Sequence, residues 1–364
     1  MPNSTALNKP TIVLTGYYQP KPGGLCKRYV MAMQALLEAG FRVHCVSYEP
    51  FSLEHPNYVW HPLKYFNQNR TSLLFWTYST IAYSLVFFYL NQRLKPHIFF
   101  SFSTFYSACF QLTRWIRPCR HLLFFRADTL KNAKIKKRPK VTLWINWLIE
   151  AISIVQTQTI FVSETLQQDV FNRHLLPPPK KTSVLKNNIN CIKEKNFSHK
   201  EIIRFGCAGI LEKRKNQQLL IDVFSKLKKS HQLYIFGIGP EELLLREQTN
   251  KNGSTNIHFM GWCESSTIFT TIDCFLAPSL HEGISNAILE AIENGIPILA
   301  SDIPEHQEIL PSAQLLQTDV NTWIERIDQI DNKKLTEITH QQNISCKHLL
   351  FDWKKTLVEL FYAQ

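Results

Sequence analysis

Two stretches of the chain share one rhythm: a short apolar run, a glycine-bearing loop, an amphipathic segment and a second apolar run. No other feature restricts the fold as much. In the first stretch Thr11-Ile12-Val13-Leu14-Thr15 reads as a buried strand, Tyr17 to Gly24 as a loop rich in Pro and Gly, Leu25 to Ala39 as a helix stopped by Gly40, and Phe41 to Ser47 as the next strand. A strand that feeds a helix and returns as a strand builds a parallel sheet covered by helices. Further strands are expected at 97–102, 121–125 and 160–163, with a long apolar helix near 141–155. The second stretch restarts the pattern with strands at 205–208, 233–236, 256–260, 274–277 and 296–300 and helices at 217–228, 241–249 and 286–294. Gly295 stands where a left-handed residue closes a helix, and Pro297 near a strand start, where a missing donor is tolerable.

The 364 residues, 45% of them hydrophobic, suffice for two cores of about 150 to 200 residues each. Pro177-Pro178-Pro179 and the polar stretch to Lys200 read as a domain end and linker. The expected division is an α/β domain over 1–198, a second over 199–345, and a C-terminal helix within 346–364 packing across both. Ligands of such open parallel sheets lie beyond the carboxyl ends of the strands, so two sheets in tandem imply a cleft.

Charge is divided unevenly. Residues 1–195 hold 25 basic and 8 acidic side chains, whereas 196–364 hold 16 and 21. The densest run, Arg114 to Lys140, has ten Lys/Arg and the single acid Asp128. Such a field suits anionic lipid, nucleic acid or a phosphorylated partner, although a solvated face is the plainer reading. The run lacks regularly interleaved aromatics, which argues against nucleic acid. Thr71 to Leu90 is twenty residues without a charge and long enough to span a bilayer. Its Thr, Ser and Tyr content favours a helix buried on a sheet with an aromatic edge touching lipid. The opening MPNSTALNKP lacks the basic-then-apolar order of a signal peptide.

Several chemistries are disfavoured. The nine cysteines fall singly with no C-x-x-C, so a zinc knuckle or redox dithiol is not expected, and reduced buried thiols are. The thirteen histidines are dispersed, without H-E-x-x-H, and no D-x-D pair occurs. Any phosphate charge is then expected to be met by protein cations and helix termini rather than a metal. Neither Gly23-Gly24 nor Gly237-Ile238-Gly239 completes G-x-G-x-x-G, which removes the nicotinamide fingerprint.

The sharpest constellation is Ala277-Pro-Ser-Leu-His-Glu282-Gly283-Ile284-Ser285-Asn286-Ala-Ile-Leu-Glu290. A strand ends at Ala277, a loop carries Glu282 and Gly283, and a helix begins near Ser285 or Asn286, whose unbonded N–H groups suit a phosphate. Glu282 and Glu290 would sit at different depths of one pocket; alternatively Ser285 is a plain N-cap and Glu290 a solvated residue. A second phosphate candidate is Gly209-Ile-Leu-Glu-Lys213-Arg214-Lys215-Asn216, three adjacent cations after a strand. A cation there would offset charge developing on a leaving diphosphate.

These pieces resemble the retaining glycosyltransferases of family 4, which have the GT-B fold of two facing Rossmann-like domains with parallel sheets and a deep interdomain cleft. The resemblance rests on GG at 23–24, VSE at 162–164, NNIN at 187–190, GILEKRKN at 209–216, FGIGP at 236–240, FMGW at 259–262 and PSLHEGISNAILEAIENGIPILASD at 278–302. It implies that Glu282 contacts the donor sugar and Glu290 the ribose. Gly209, Gly237 and the backbone of Gly283, Ile284, Ser285 and Asn286 would line the donor, Lys215 would meet its diphosphate, and Gly24 would approach from the first domain. Two positions depart from the family pattern. Its usual arginine falls on Ile210, leaving Arg214 as a replacement, and its first-domain histidine has no clear counterpart, leaving Arg126 or Asp128.

The resemblance thus implies a retaining, metal-independent transferase with no cofactor, using a UDP- or GDP-linked sugar as co-substrate. Its partners would be a saccharide or lipid-linked acceptor of the cell envelope and an anionic membrane surface reached through the N-terminal domain, with no nucleic acid. Its place would be cytoplasmic and peripheral on the inner face of the cytoplasmic membrane. The competing readings are a nucleotide-sugar epimerase and a transferase-like binding module without turnover.

Overall fold

The structure is a computed structural model that describes residues 11–20, 23–64, 73–114, 116–174, 179, 181–197, 201–227 and 231–363. Pro177, Pro178, the division expected near 198, the end of the helix expected to reach 228, and Thr71 with Ser72 lie outside the described residues.

In chain order the first part runs β1 (Ile12–Gly16), α1 (Gly24–Glu38), β2 (Arg42–Ser47), β3 (Tyr58–Pro62), α2 (Leu73–Leu94), β4 (Ile98–Ser101), α3 (Thr104–Arg114), β5 (Arg120–Phe125), α4 (Thr129–Ile135), α5 (Lys140–Ile154), β6 (Gln158–Phe161), α6 (Glu164–Arg173) and β7 (Lys181–Val184). The second part runs β8 (Arg204–Ala208), α7 (Gln217–Phe224), β9 (Gln232–Phe236), α8 (Glu242–Lys251), β10 (Ile257–Gly261), α9 (Ser265–Thr271), β11 (Cys274–Ala277), α10 (Asn286–Glu293), β12 (Ile298–Ser301), α11 (Pro304–Gln307), β13 (Leu315–Leu316), α12 (Val320–Asp328), α13 (Asn332–Ser345) and α14 (Trp353–Tyr362). The strands form two parallel sheets, ordered β3-β2-β1-β4-β5-β6-β7 and β10-β9-β8-β11-β12-β13. In each, the order reverses beside the first strand, as in doubly wound nucleotide-binding folds.

The chain divides into two compact units. The first holds residues 1–126, 141–185 and 353–364; the second holds 127–140 and 186–352. In the first unit Val13, Leu14, Val43, Phe99, Leu122 and Ile160 are fully buried along the strands, because a parallel sheet covered on both faces leaves no solvated side. The helix expected over 348–360 begins instead at Trp353, after a short 3-10 turn at Cys346–Leu349. It belongs to the first unit: Phe361 packs on Phe41 and Phe100 with ring centres 5.8 and 4.9 Å apart, and Arg120 donates to the Phe361 and Leu360 carbonyls at 2.6 and 2.8 Å. The uncharged run forms most of α2, with Phe75, Tyr83, Phe87 and Leu90 buried and Leu74, Ile81 and Leu85 exposed. Among the described residues no helix is long and apolar enough to cross a membrane.

In the second unit α10 ends as its sequence predicts. Gly295 takes φ of 65° and its N–H donates to the Ile292 carbonyl, while the Ile296 N–H reaches back to Ala291. This is a Schellman closure, which favours glycine on conformational grounds. Space demands glycine too, since a Cβ there would lie 2.3 Å from the Lys193 carbonyl oxygen. The 187–195 segment thus lies along α10: Asn187 donates to Asn286 at its start, and the Asn190 N–H to Glu293 at its end.

Candidate functional site

In the second sheet β8 and β11 are the neighbours at which strand order reverses, the place where a doubly wound fold leaves a crevice beyond its strand ends. The loops leaving Ala208 and Ala277 carry the two constellations read from the sequence. Between them lies a recess lined by Cys207, Ala208, Lys215, Gln217, Ser279 and Ser285. Glycine is required where the loop leaving Phe236 approaches the loop leaving Ala208. Gly237 has φ of 130°, and a Cβ on it would meet the Gly209 carbonyl oxygen at 1.9 Å; Gly209 itself has φ of 147°, with the Lys215 side chain 3.3 Å from where its Cβ would stand.

Glu282 is the electrostatic centre of this recess. It is 5% exposed, and its carboxylate accepts from the Lys215 ammonium, from Arg214 Nη1 at 2.7 Å and from Ser279 Oγ at 2.9 Å. The Leu280 N–H donates to the Arg214 carbonyl at 2.8 Å, tying the two loops together by their backbones. Burial alone would raise the Glu282 pKa, but the charges of Lys215 and Arg214 outweigh it and hold the value at about 2. Lys213, the third cation of the run, is exposed.

Two further carboxylates extend the network. Glu212 accepts from Arg214 Nε at 2.6 Å and from Lys136 at 2.7 Å. Glu305, 3% exposed, accepts from His281 Nδ1 at 2.5 Å and from Lys131 at 3.0 Å. Burial opposes ionisation of both, and the neighbouring donors overcome it, so both pKa values lie below the usual carboxylate range. Three cations, Lys136, Arg214 and Lys215, face two carboxylates, Glu212 and Glu282. That part of the network therefore carries a net positive charge.

The start of α10 lies on the same recess. Ser285 occupies the N-cap position, but its hydroxyl makes no capping bond to the helix. With the helix dipole, the unbonded first-turn N–H groups form a site suited to an anion. Glu290, one turn in, is half-buried and accepts from Ser265 Oγ at 2.6 Å, so it is a held residue rather than a solvated one. Gly283 and Ile284 lie on the loop before it, also partly covered.

The remaining expected residues stand elsewhere. Gly24 opens α1 in the first unit, after Gly23 at φ of 144°. Arg126, also in the first unit, is buried over the Phe124 and Phe102 rings at 4.8 and 5.6 Å, and burial with the nearby Arg28 lowers its pKa to about 9. Asp128 belongs to the second unit and caps α4, accepting from the Lys131 N–H at 2.7 Å. His121 lies in the first unit's core against Ser107, and burial depresses its pKa to about 3, so it stays neutral. The sequence assigns no individual role to Ser265, Asn187, Ser279, Lys131 or Lys136; Ser279 and Asn187 fall in the quoted motifs, the two lysines in the basic run, and Ser265 in neither. Among the described residues no group of three or more His, Cys, Asp or Glu gathers as a metal-ligand set.

The depressed Glu282 pKa fixes a pH dependence. A carboxylate that ionises more readily when folded stabilises above its unfolded pKa of 4.5 and loses that contribution as the pH falls toward 2. The shift corresponds to about 3 kcal/mol. E282Q, which mimics the protonated form, should therefore unfold more easily than the wild type by about that amount at pH 7. Denaturant titrations at successive pH values should show the gap closing between 4.5 and 2. A gap that stays constant through this window would contradict the assignment.

Residues 203–332 match the family described as glycosyl transferases group 1. The GtfA subunit of the UDP-N-acetylglucosamine–peptide N-acetylglucosaminyltransferase of Streptococcus pneumoniae is 22% identical over 60% of this chain and 49% of its own length. This chain thus spans about half of that relative. The capsular polysaccharide biosynthesis glycosyltransferase CapH of Staphylococcus aureus is 26% identical over 77% of this chain and 79% of its own. The crystal structure of Anabaena HepE in complex with UDP and glucose superimposes with a TM-score of 0.73 at 13% identity, covering 97% of this chain and all of that one. The chain has the GT-B fold and is related, through its second unit, to the glycosyl transferases group 1.

Proposed function

We propose that the protein transfers a sugar, with retention of configuration, from a nucleoside-diphosphate donor to a cell-envelope saccharide or lipid-linked acceptor. The observation that carries the reading is the buried Glu282 carboxylate shared by Lys215 and Arg214 beside the open start of α10. In this reading the donor diphosphate lies over the first-turn N–H groups of α10, draws Lys215 toward its oxygens and meets the donors of Arg214 that Glu212 and Glu282 leave unused. Glu282 then turns its acceptor sites to the sugar hydroxyls, and Glu290 receives the ribose. The anomeric C–O bond to the phosphate breaks while the acceptor oxygen bonds to the same face, and its proton passes to the leaving phosphate oxygen. The charge that grows on the leaving group meets fixed cations and a helix dipole, which stabilise the transition state more than the ground state. No metal is needed for that neutralisation. HepE, solved with UDP and glucose, and CapH, a capsular polysaccharide enzyme by name, support the donor and acceptor classes.

Turnover of UDP- and GDP-sugars should fall by about a hundredfold or more in K215A and E282A. The product anomer seen by NMR should match the donor's. An inverted product, or full activity in K215A, would contradict the reading.

The first unit is assigned to the acceptor and to the membrane surface. α3 lies between α2 and α5: Phe105 packs on Trp76 with ring centres 5.3 Å apart, and Ser107 Oγ donates to the Ser153 carbonyl at 2.9 Å. α2 exposes Trp76, Leu85 and Tyr89, and α5 exposes Val141, Trp144 and Trp147. No carboxylate occurs between Glu54 and Asp128, and Glu150 of α5 is buried against His174. Aromatic and cationic side chains without carboxylates suit an anionic lipid interface. The protein should float with phosphatidylglycerol vesicles at low salt, and W144S/W147S should weaken that binding. Failure of the wild type to float would remove the membrane assignment while leaving the transfer chemistry standing.

A further inference from the structure

The segment 127–140 comes from the first half of the chain, yet it packs as part of the second unit. Lys131 of its helix α4 and Lys136, the residue that follows the helix, meet two carboxylates, and each carboxylate grips a residue beside or bonded to Glu282. Lys131 meets Glu305, which holds His281; Lys136 meets Glu212, which holds Arg214 by Nε. Arg214 then reaches Glu282 through Nη1. A guanidinium held by both Nε and Nη1 has its plane fixed, and these bonds use two of its five N–H donors, leaving others for a planar bidentate contact with an anion. The position where the resemblance calls for an arginine is Ile210, 55% exposed and unable to bind phosphate.

We propose that Lys136 and Glu212 are positioning residues that orient Arg214 as the second diphosphate-binding cation, compensating for the apolar side chain at Ile210. This rests on the donor reading above. Glu212 alone would cancel much of the charge on Arg214; Lys136 returns that charge while leaving the Nε bond in place. Removing Lys136 leaves Glu212 to draw on Arg214, and removing the Glu212 charge weakens the Nε hold that fixes the plane of the guanidinium. In both cases the second phosphate loses more than the first, so the signature is a change in discrimination between di- and monophosphates rather than a general loss of binding.

The test is calorimetric titration of the full chain with UDP, GDP, UMP and GMP, comparing wild type, K136A, K136R, E212Q and R214A. For the nucleotide pair that binds, K136A and E212Q should weaken the diphosphate roughly tenfold while changing the monophosphate less than about twofold, and K136R should restore wild-type preference. Equal loss for both phosphates, or no loss in E212Q and K136A where R214A loses diphosphate binding, overturns the positioning role and leaves the donor reading intact. A wild type that binds none of the four overturns both. E212Q keeps the side chain's size while removing its charge and one acceptor oxygen, so it reports even if K136A does not fold.

Discussion

A single buried carboxylate organises the loops at the carboxyl ends of β8 and β11. Glu282 is nearly sealed from water, and an ionised group in such a place survives only with compensating charge and hydrogen bonds. Lys215, Arg214 and Ser279 supply them, and each comes from a loop leaving one of the two strands at the point where the sheet reverses. The two loops are therefore held together by electrostatics as well as by the Leu280 to Arg214 backbone bond. The same arrangement sets cations beside a helix start that its own N-cap side chain does not bond. A ligand with two phosphates and several hydroxyls could take over both halves of the pairing, which a simple structural ion pair would not offer.

What a sequence can announce and what it cannot divide along a physical line. Strands such as Cys274–Ala277 and the helix Asn286–Glu293 are legible because they are apolar runs at the right period, bounded by Pro278 and Gly295. The glycines at 209 and 237 are legible as loop glycines, but their reasons are not: Gly237 meets the Gly209 backbone too closely for a side chain to fit, and Gly209 takes a positive φ beside Lys215. β3 was missed because Tyr58–Pro62 has no buried face to reveal it, every residue being partly covered or exposed. The helix α4 was missed because its polar, lysine-rich sequence shows no clear apolar period. Its partners, Glu212 and Glu305, lie far along the chain and become neighbours only through the fold.

The basic run from Arg114 to Lys140 shows the same limit. As a composition it looks like a uniform field. In the structure Arg120 closes the end of α14, Arg126 lies over two phenylalanine rings, and Lys131 and Lys136 brace buried carboxylates. Much of the positive charge is therefore committed to internal partners, and attraction to an anionic surface must come from the cations that remain solvated together with the apolar faces of α2 and α5. Counting charges along a sequence overstates the field wherever the fold has spent them on itself.

The central claim is that a diphosphate replaces Glu282 as the partner of Lys215 at the start of α10. A crystal structure of the protein with UDP or GDP bound tests it most directly. The account predicts phosphate oxygens within hydrogen-bond distance of the Asn286 and Ala287 N–H groups and of the Lys215 ammonium, with the Lys215–Glu282 pair opened. A diphosphate bound elsewhere, or seated at α10 with that pair still closed, would contradict it.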